Sequence, residues 1–350
     1  MTRAPVLSVV VPVRNDPDRL RACLTSLAAS THRHHEVIVV DDASTDGSAN
    51  VASMLGATVI RQEERTGPAA ARNRGVAAAR GRYVLFVDAD VCVHADTLER
   101  VVAAFEEDPR TDALFGMYDL APRDPGFLSQ YKNLFHHFVH QRASREASTF
   151  WAGCGAIRRS VFLEAGGFDA AYDRPSIEDI ELGVRLVRSG RRIVLRGDVQ
   201  ATHLKRWTLL GLLRADVWDR GVPWTELILR QGRLPDDLNL RMAERVSAAL
   251  ACAVALLVLA SLLGAPFSRR VSLGTLVSVL AAFLAWNHDF YRFFARQRGA
   301  WFACRVVPLH VLYYLYSIAA FAIGASRHWS RARPEVPSPR SGSGGEAAAG

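Results

Sequence analysis

Short runs of β-branched apolar residues alternate with stretches of helical periodicity over the N-terminal quarter of the chain. The apolar runs predict strands, and apolar positions three or four residues apart predict helices. The predicted order is strand 6–13, helix 18–29, strand 36–40, helix 48–55, strand 58–61, helix 68–80 and strand 83–87. Strands joined by helices imply right-handed crossovers and a mostly parallel sheet with helices on both faces. Ligands of such sheets bind beyond the carboxyl ends of the strands, so the residues there are the first candidates for chemistry.

Long apolar runs replace this alternation in the last third of the chain. Residues 246–264 carry no charge and are long enough to cross a bilayer as a helix, whereas residues 271–286 are marginal in length. A third run, residues 306–325, is interrupted by Pro308 and His310 and is rich in tyrosine, which is typical of membrane interfaces. Each run could instead be a buried core helix.

We assign residues 246–326 to a membrane region with two or three spanning helices. If all three runs crossed from a cytoplasmic N-terminal domain, Arg327, Arg331 and Arg333 would lie outside, against the tendency of basic residues to stay in the cytoplasm. Either one run is re-entrant or interfacial, or this tendency is weak here. Residues 327–350 end in a stretch of Pro, Ser, Gly and Ala without periodicity, which predicts a disordered tail.

Residues 206–245 connect the two parts and mix tryptophan and leucine with arginine. The pattern predicts two helices broken at the Gly-Val-Pro of residues 221–223. A helix that lies in the lipid headgroup layer needs such a composition, and so does an ordinary amphipathic helix packed on the first domain. We expect interfacial helices here.

Composition and charge narrow the class of protein. The chain has 350 residues, 49% of them hydrophobic, which is enough for one large domain and a smaller part. Its five cysteines lie far apart without a CxxC pair, which argues against a zinc ribbon, a redox motif or a disulfide scaffold and favours a reducing, cytoplasmic environment. The net charge is +8, but the arginines are dispersed rather than gathered in one patch, so we expect no nucleic-acid partner.

Two carboxylates, Asp88 and Asp90, follow the predicted strand 83–87. An Asp-x-Asp triplet is common by chance, and we interpret the one formed by Asp16 and Asp18 as a loop followed by a helix cap. At the mouth of a buried strand, however, two like charges are costly unless a cation offsets them. Oxygen ligands with open positions suit Mg²⁺ or Mn²⁺ bridging a diphosphate, rather than zinc. The alternative is a turn with capping aspartates.

Asp41 and Asp42 follow the predicted strand 36–40 in the same way. Capping of the next helix explains part of this polar cluster, and carboxylates placed there could also accept hydrogen bonds from a nucleotide base or ribose. The glycine- and alanine-rich entry to the helix after the third strand permits close approach of a ligand, with Arg72 and Asn73 facing the mouth of the sheet. Neither a nicotinamide-type glycine fingerprint nor a P-loop is present.

Glu178 and Asp179 open a predicted helix farther along the chain, with Ser176 as its expected N-cap. The helix dipole would favour acidic residues there without any catalysis. His136 and His140 would share one face of another helix as a possible metal pair, but no HExxH glutamate accompanies them.

Five motifs in order carry a resemblance to a known family. They are SVVVPVRND, VIVVDDASTDGS, GPAAARNRG, YVLFVDAD and SIEDIEL. Together they make residues 6–210 resemble the family 2 glycosyltransferases with the GT-A fold. The resemblance implies an α/β fold, a Rossmann-like mostly parallel sheet of the nucleotide-diphospho-sugar transferase type, for a catalytic domain over residues 1–205.

The resemblance also implies roles for individual residues. The donor nucleotide-sugar would be bound by Pro12 and Arg14 in the first loop, Asp41 and Asp42 at the nucleoside, Arg72 and Asn73 near the base, and Asp88 and Asp90 at the ribose, metal and diphosphate. Asp179 would be the general base, with Glu178 shaping its surroundings. His203 would be a third metal ligand beside Asp88 and Asp90, for Mn²⁺ or Mg²⁺.

The implied activity is inverting transfer of a sugar from a UDP- or GDP-sugar to a membrane lipid, a lipid- or polyprenyl-linked acceptor, or a glycan. The implied location is the inner membrane, as a multi-pass protein with a cytoplasmic catalytic domain. A processive polysaccharide synthase is one alternative, although His203 stands where that group's Gln-x-x-Arg-Trp element has glutamine. An inactive nucleotide-sugar-binding membrane protein is another.

Overall fold

The computed structural model of the chain describes residues 4–232, 241–262 and 269–331. An eight-stranded sheet with helices on both faces forms the N-terminal part, and helices form the rest. The strands are β1 Leu7–Val13, β2 His35–Asp41, β3 Thr58–Arg61, β4 Tyr83–Val87, β5 Val91–Val93, β6 Ala113–Tyr118, β7 Cys154–Arg158 and β8 Ile193–His203.

Thirteen helices are described. They are α1 Pro17–Ala28, α2 Ser48–Met54, α3 Pro68–Ala78, α4 Thr97–Glu107, α5 Phe127–Arg142, α6 Arg159–Glu164, α7 Glu178–Arg188, α8 Leu209–Arg214, α9 Val222–Gln231, α10 Met242–Leu262, α11 Arg269–Trp286, α12 His288–Arg298 and α13 Ala300–Arg331. The seven elements predicted up to residue 87 are confirmed, with ends that differ by no more than two residues. At the Asp16 triplet, however, no side-chain cap forms, because the Asp16 carboxylate accepts from Arg19 instead.

The sheet has the strand order β3-β2-β1-β4-β7-β6-β8-β5. The half from β3 to β4 is parallel, as predicted. In the other half, β7 lies antiparallel between β4 and β6, and β5 is antiparallel to β8, so the sheet is mixed. The carboxyl ends of β1, β2 and β4 therefore meet at one edge of the sheet. The carboxyl end of β8, which comes from the other half, pairs with β5.

Burial on both faces explains why the central strands are continuously apolar. Every residue of β4 is buried, and along β1 Val9 and Val11 face one core cluster while Val10 faces the other. A third cluster is separate from the sheet and joins α5 to the C-terminal helices through aromatic rings such as Phe135 and Phe290. This aromatic cluster fastens the helical part to the sheet domain.

The predicted break at residues 221–223 is wrong. The chain runs on from α8 through a π-helical segment, Ala215–Gly221, into α9, and Gly221 keeps helical dihedral angles. Pro223 lies directly after the π-helical segment, and the carbonyl of Asp219, four residues before it, accepts from the Ser176 hydroxyl in place of the backbone N–H that Pro223 lacks. Residues 233–240 of the expected interfacial region lie outside the described residues.

Among the described residues, two helices are long and apolar enough to cross a membrane, α10 and residues Ala300–Ser330 of α13. The marginal run at residues 271–286 lies in α11, which is followed by α12 after a bend of 69°, and this bent pair could act as a broken span or a re-entrant loop. Helix α13 continues to Arg331, so residues 327–331, expected in the tail, are helical. The remainder of that tail lies outside the described residues.

Replacement of Gly67 tests the turn into α3. Gly67 has φ +88°, and an added Cβ would lie 2.4 Å from the carbonyl oxygen of Asp173. Gly56 has a similar φ of +79° but open space around it, so it is the matched control. We expect Gly56→Ala to cost about 1 kcal/mol of stability through backbone strain and Gly67→Ala about 1–3 kcal/mol more through the clash. Equal thermal midpoints of the two detergent-solubilised variants would contradict the geometry.

Candidate active site

A cavity of about 380 Å³ lies at the carboxyl ends of β1, β2 and β4. Most of the residues singled out from the sequence line it: Pro12, Arg14, Asp42, Arg72, Asp88, Asp90, Glu178, Asp179 and His203. Asp41 and Asn73 are not among the lining residues. The edge where the parallel strands end is therefore also where the candidate residues meet.

The Asp41–Asp42 pair shapes the loops around this cavity. Both carboxylate oxygens of Asp42 accept backbone N–H groups, from Thr66 at 2.7 Å and from Gly67 at 3.0 Å, which fixes the approach to α3. Asp41, the last residue of β2, accepts from the backbone N–H of Ser44 at 3.2 Å. Asp42 thus fixes the loop that forms this wall of the cavity, and its own side chain also lines the cavity.

Asn73 does not face the mouth of the sheet, contrary to the expectation from sequence. Its amide donates to the carbonyl of Phe168 at 2.8 Å and accepts from the N–H of the same residue at 2.9 Å. Successive residues of a helix point about 100° apart, so α3 can direct Arg72 into the cavity only by turning Asn73 away from it. Asn73 therefore fixes the loop that follows α6.

Arg72 joins two elements that are far apart in sequence. Its guanidinium donates to Asp88 Oδ1 at 2.6 Å and to Glu178 Oε1 at 2.8 Å, so one cation bridges the end of β4 and the start of α7. The side chains of Arg72 and Glu178 are each only 6% exposed. Burial opposes the charge on Arg72, but Asp88 and Glu178 outweigh it and raise the Arg72 pKa. Neither carboxylate would be stable there without this cation.

Asp90 and His203 face each other across the edge of the sheet. The pairing of β5 with β8 sets Val91 opposite His203, which brings His203 Nε2 to 3.5 Å from Asp90 Oδ2. The imidazole is held by Asn133 Oδ1 at 2.8 Å from Nδ1 and by stacking on Tyr118, with centroids 4.4 Å apart. Burial would raise the Asp90 pKa, but His203 and nearby cations hold it at about 2. Asp90 is thus a persistent anion in the cavity.

The donor atoms at this corner fit a hard divalent cation only as an incomplete ligand set. Asp88 Oδ1 accepts a hydrogen bond from Arg72, which leaves the other Asp88 oxygen for a ligand. Asp90 supplies a second carboxylate, and His203 supplies a ring nitrogen. Among the described residues, no group of three or more His, Cys, Asp or Glu is gathered tightly enough to hold a metal by itself. Oxygen atoms from a bound diphosphate would complete such a site. The residues present therefore fit Mg²⁺ or Mn²⁺ bound together with a ligand.

The His136–His140 pair on α5 is packed rather than ligating. The two rings are 3.9 Å apart by their centroids and both contact the ring of Trp151. His140 Nδ1 lies 3.3 Å from the carbonyl oxygen of Gly116. Burial, reinforced by neighbouring cationic groups, lowers the His136 pKa well below its usual value, so this ring is neutral.

Asp179 lies in the first turn of α7 with a raised proton affinity. Its Oδ2 accepts from the backbone N–H of Ala152 at 3.0 Å. Burial and then the negative charge of Glu178 raise the Asp179 pKa to about 6, against the N–H of Ala152 and the positive charges of Arg72 and Arg220. A carboxylate with a pKa near neutrality can take a proton in a reaction and release it afterwards.

Ser176 is not the N-cap of α7. The N-cap residue is Ile177, and no side chain caps the helix. The Ser176 hydroxyl donates instead to the carbonyl of Asp219 at 2.7 Å, and its N–H donates to Glu178 Oε2 at 2.9 Å. Ser176 therefore ties the start of α7 to the π-helical segment.

A second cavity of about 410 Å³ adjoins the first and was not foreseen from the sequence. The two share six lining residues: Lys132, His136, Trp151, Ser176, Asp179 and Arg220. Away from this junction the walls come from α9, α10 and α13 and include the apolar side chains of Ile228, Ala248, Ile318 and Phe321. The sequence signals for this cavity were Trp151, in the glycine-rich stretch before β7, and Arg220, in the expected interfacial region. Nothing in the sequence indicated that these two residues line one cavity.

Comparison with known proteins agrees with this geometry. Residues 8–166 match the family model described as Glycosyl transferase family 2. An uncharacterised glycosyltransferase of Haemophilus influenzae is 29% identical over 189 residues, 52% of this chain and 62% of that protein. Glycosyltransferase GlyG of Streptococcus pneumoniae is 29% identical over 163 residues, 45% of this chain and 54% of that protein. The chain thus spans between half and two thirds of the length of these curated relatives.

Among solved structures, mannosyltransferase PcManGT from Pyrobaculum calidifontis, in complex with GDP-Man and Mn²⁺, superposes with a TM-score of 0.59 at 21% identity. The match covers 95% of this chain and 89% of that one. It shows that the two chains share a fold.

Removal of the Arg72 guanidinium tests the bridge between β4 and α7. We expect Arg72→Met to destabilise the protein by about 3–5 kcal/mol, because the buried Glu178 and the partly exposed Asp88 lose their shared cation. Arg100→Met is the matched control, since Arg100 pairs with Asp96 at the surface and should cost less than about 1 kcal/mol. Thermal unfolding in detergent compares them, and similar midpoints would show that the bridge contributes little.

Proposed function

We propose that this chain, whose residues 8–166 match the family model described as Glycosyl transferase family 2, is an inverting glycosyltransferase that moves a sugar from a nucleotide-diphosphate donor to a membrane-associated acceptor. The observation that carries the proposal is the position of Asp179. This carboxylate lies in the wall shared by a polar cavity at the edge of the sheet and an apolar cavity leading to the C-terminal helices. A group in that wall can touch the reacting atoms of two substrates at once.

The donor is assigned to the polar cavity. Its walls hold the cationic side chains of Arg14, Arg65 and Lys205, which suit a diphosphate, and the loop set by Asp42 suits a nucleoside. A UDP- or GDP-sugar is the expected donor. GDP-Man bound to PcManGT, a chain of the same fold, is in keeping with this class of ligand.

A divalent cation, Mn²⁺ or Mg²⁺, would be held by Asp88 and Asp90 with His203 as a third ligand. When bound, it would supply positive charge to the departing diphosphate. The protein's own contribution at this corner is to hold the two carboxylates charged and in place. Arg72 does so for Asp88, and the Asn133–His203 pair does so for Asp90.

Asp179 is assigned as the general base. In the single displacement, the acceptor oxygen forms a bond to the anomeric carbon, the bond from that carbon to the diphosphate breaks, and the hydroxyl proton passes to Asp179. Attack from the side opposite the leaving group inverts the anomeric centre. Glu178 is held by Arg72 and Ser176, so it acts through the Asp179 pKa and touches neither substrate in this scheme.

The acceptor is assigned to the apolar cavity. Its walls include helices α10 and α13, which are long and apolar enough to associate with a membrane. A lipid or lipid-linked acceptor could place its chain between these helices and its hydroxyl at Asp179. The location that follows is the inner membrane, with the catalytic domain on the cytoplasmic face.

Substitution of the two aspartates separates chemistry from binding. Asp179→Asn should abolish transfer, by at least about 100-fold, while nucleotide-sugar binding with Mn²⁺ stays nearly intact. Asp90→Ala should lose the metal-dependent binding as well. Calorimetric titration of UDP, GDP and CMP with and without Mn²⁺ measures binding, and transfer of a radiolabelled sugar to extracted membrane lipid measures activity.

Glu181→Gln is the control for these variants, because Glu181 lies on α7 but pairs with Arg185 outside the cavity. Equal loss of binding in Asp179→Asn and Asp90→Ala would contradict the division of roles. A ladder of products from the unmodified chain would favour a processive synthase, and metal-dependent binding without transfer would favour an inactive nucleotide-sugar-binding protein.

The pH dependence follows from the raised Asp179 pKa. The base must be deprotonated, so kcat/KM should fall about tenfold per pH unit below pH about 6 and level off above it. Glu178→Gln removes the charge that helps to raise this pKa and should shift the falling limb to lower pH, whereas Glu181→Gln should leave it in place. A profile that is flat from pH 5 to 7 would exclude Asp179 as the base.

A further inference from the structure

Helix α13 has the length and the apolar composition of a membrane span, yet both of its ends contact the catalytic side of the protein. Near its start, Phe302 packs on Phe127 of α5 with ring centroids 4.8 Å apart, and the Arg305 guanidinium lies 3.9 Å above the Phe127 ring. Just before α13, Arg298 donates to the carbonyl of Leu120 at 2.7 Å, at the end of β6. The start of α13 is therefore fixed to the sheet domain.

The other end of α13 is fixed to the segment that borders the active site. Gly324 fits against Val222 at the start of α9, and the Arg327 guanidinium lies 5.3 Å from the ring of Trp218 in the π-helical segment. That segment is tied to the start of α7 by the hydrogen bond from Ser176 to Asp219.

The middle of the helix is held by polar contacts to the same domain. The Tyr316 hydroxyl donates to Asp216 at 2.7 Å, and Asp216 forms an ion pair with Lys132 of α5 at 2.6 Å. Lys132 and Asp216 also line the apolar cavity. Start, middle and end of α13 thus all contact elements that build the candidate active site.

These contacts are hard to combine with a membrane crossing. Residues 302 and 327 are about 37 Å apart along a straight helix, which exceeds the roughly 30 Å hydrocarbon core. A crossing α13 would place Phe127 and Trp218 on opposite sides of the bilayer, with the Lys132–Asp216 pair inside it. Phe127 lies in the sheet domain, and the segment that carries Trp218 is tied to that domain by the Ser176–Asp219 hydrogen bond and the Lys132–Asp216 ion pair, so the two cannot be separated by a bilayer.

The bend between α11 and α12 gives an independent constraint. Helix α12 runs antiparallel along α13, with Phe294 on Phe302 and Phe290 on His310 at centroid distances of 5.9 and 4.0 Å. Because α11 meets α12 at 69°, α11 is also steeply inclined to α13. At most one of α11 and α13 can therefore stand close to the membrane normal.

Exposure identifies α10 and α11 as the inserted pair. They pack on each other and present exposed leucine and valine side chains along their lengths: Leu256, Leu259, Leu262, Leu273 and Val277. The exposed apolar face of α13 carries Trp301, Ile318, Phe321 and Trp329, and two of these, Ile318 and Phe321, also line the apolar cavity. Helix α13 is joined to the inserted pair by a buried contact, because Phe283 of α11 packs on His310.

We propose that α10 and α11 enter the bilayer as a hairpin, while α13 lies flat in the lipid headgroup layer beneath the catalytic domain and does not cross. Its partner is the lipid surface, with the apolar face at the boundary of the acyl chains and Arg305 and Arg327 among the phosphates. Arg327 and Arg331 then stay on the side of the catalytic domain, which removes their conflict with the tendency of basic residues to stay in the cytoplasm, whereas Arg269 and Arg270 lie at the far end of the hairpin. The inference rests on membrane attachment, proposed above, and is independent of the transferase activity.

Cysteine labelling tests the sidedness. In full-length protein with Cys92, Cys252 and Cys304 replaced by alanine, Met54→Cys reports the catalytic domain and Ser330→Cys reports the end of α13; both positions are exposed. A membrane-impermeant maleimide applied to right-side-out and inverted vesicles should label both positions from the same side. Labelling from opposite sides would overturn the proposal, and so would recovery of the protein without any lipid in a vesicle flotation experiment.

Depth measurement is the second test. Nitroxide labels at the exposed positions Cys304, Ala319→Cys and Ser326→Cys, none of which lines the apolar cavity, should report equal depths by oxygen and nickel relaxation, because a flat helix keeps one depth along its face. A crossing helix would place residue 319 about 10 Å deeper than one or both of the others. Neither readout uses donor or acceptor, so a failure of the proposed transferase function would leave both results unchanged.

Discussion

The ion pair of Arg72 with Asp88 and Glu178 is the constraint on which the site depends. It joins the end of a central strand to the first turn of α7, two elements separated by nearly half of the domain in sequence. A buried guanidinium between two carboxylates is stable only when all three groups are present, so the fold and the charge distribution of the site are determined together. The same contacts leave one Asp88 oxygen facing the cavity and place Asp179 beside Glu178.

The raised Asp179 pKa follows from this arrangement. Burial disfavours the charged form of Asp179, and the adjacent Glu178, which pairs with Arg72, opposes its ionisation further. Asp90 is in the opposite situation, since His203 and nearby cations keep it ionised despite its burial. Two carboxylates in one cavity thus have distinct proton affinities, which suits a base on one side and a charge-holding ligand on the other.

Helix α5 connects the site to the C-terminal helices. One face of α5 supplies Asn133, which orients His203, and another supplies Lys132, which pairs with Asp216 of the π-helical segment, and Phe135, which packs on Tyr313 of α13. The cavity assigned to the acceptor therefore has walls from both parts of the chain. A rearrangement of α13 against the sheet domain would alter this cavity directly.

The sequence by itself determined the parallel half of the sheet and most of the residues that line the cavity. Hydrophobic periodicity is a local property, and strands joined by helices bring their carboxyl ends to one edge, so Asp42, Asp88 and Asp90 could be placed together from pattern and motif. The orientation of Asn73, the antiparallel insertion of β7 and the second cavity were decided only by the tertiary structure, because each depends on which distant element packs alongside. The same holds for the contacts of α13 at Phe302, Tyr316 and Gly324, since an apolar helix satisfies its hydropathy equally well against lipid or against protein and its sequence does not indicate which residues it packs on.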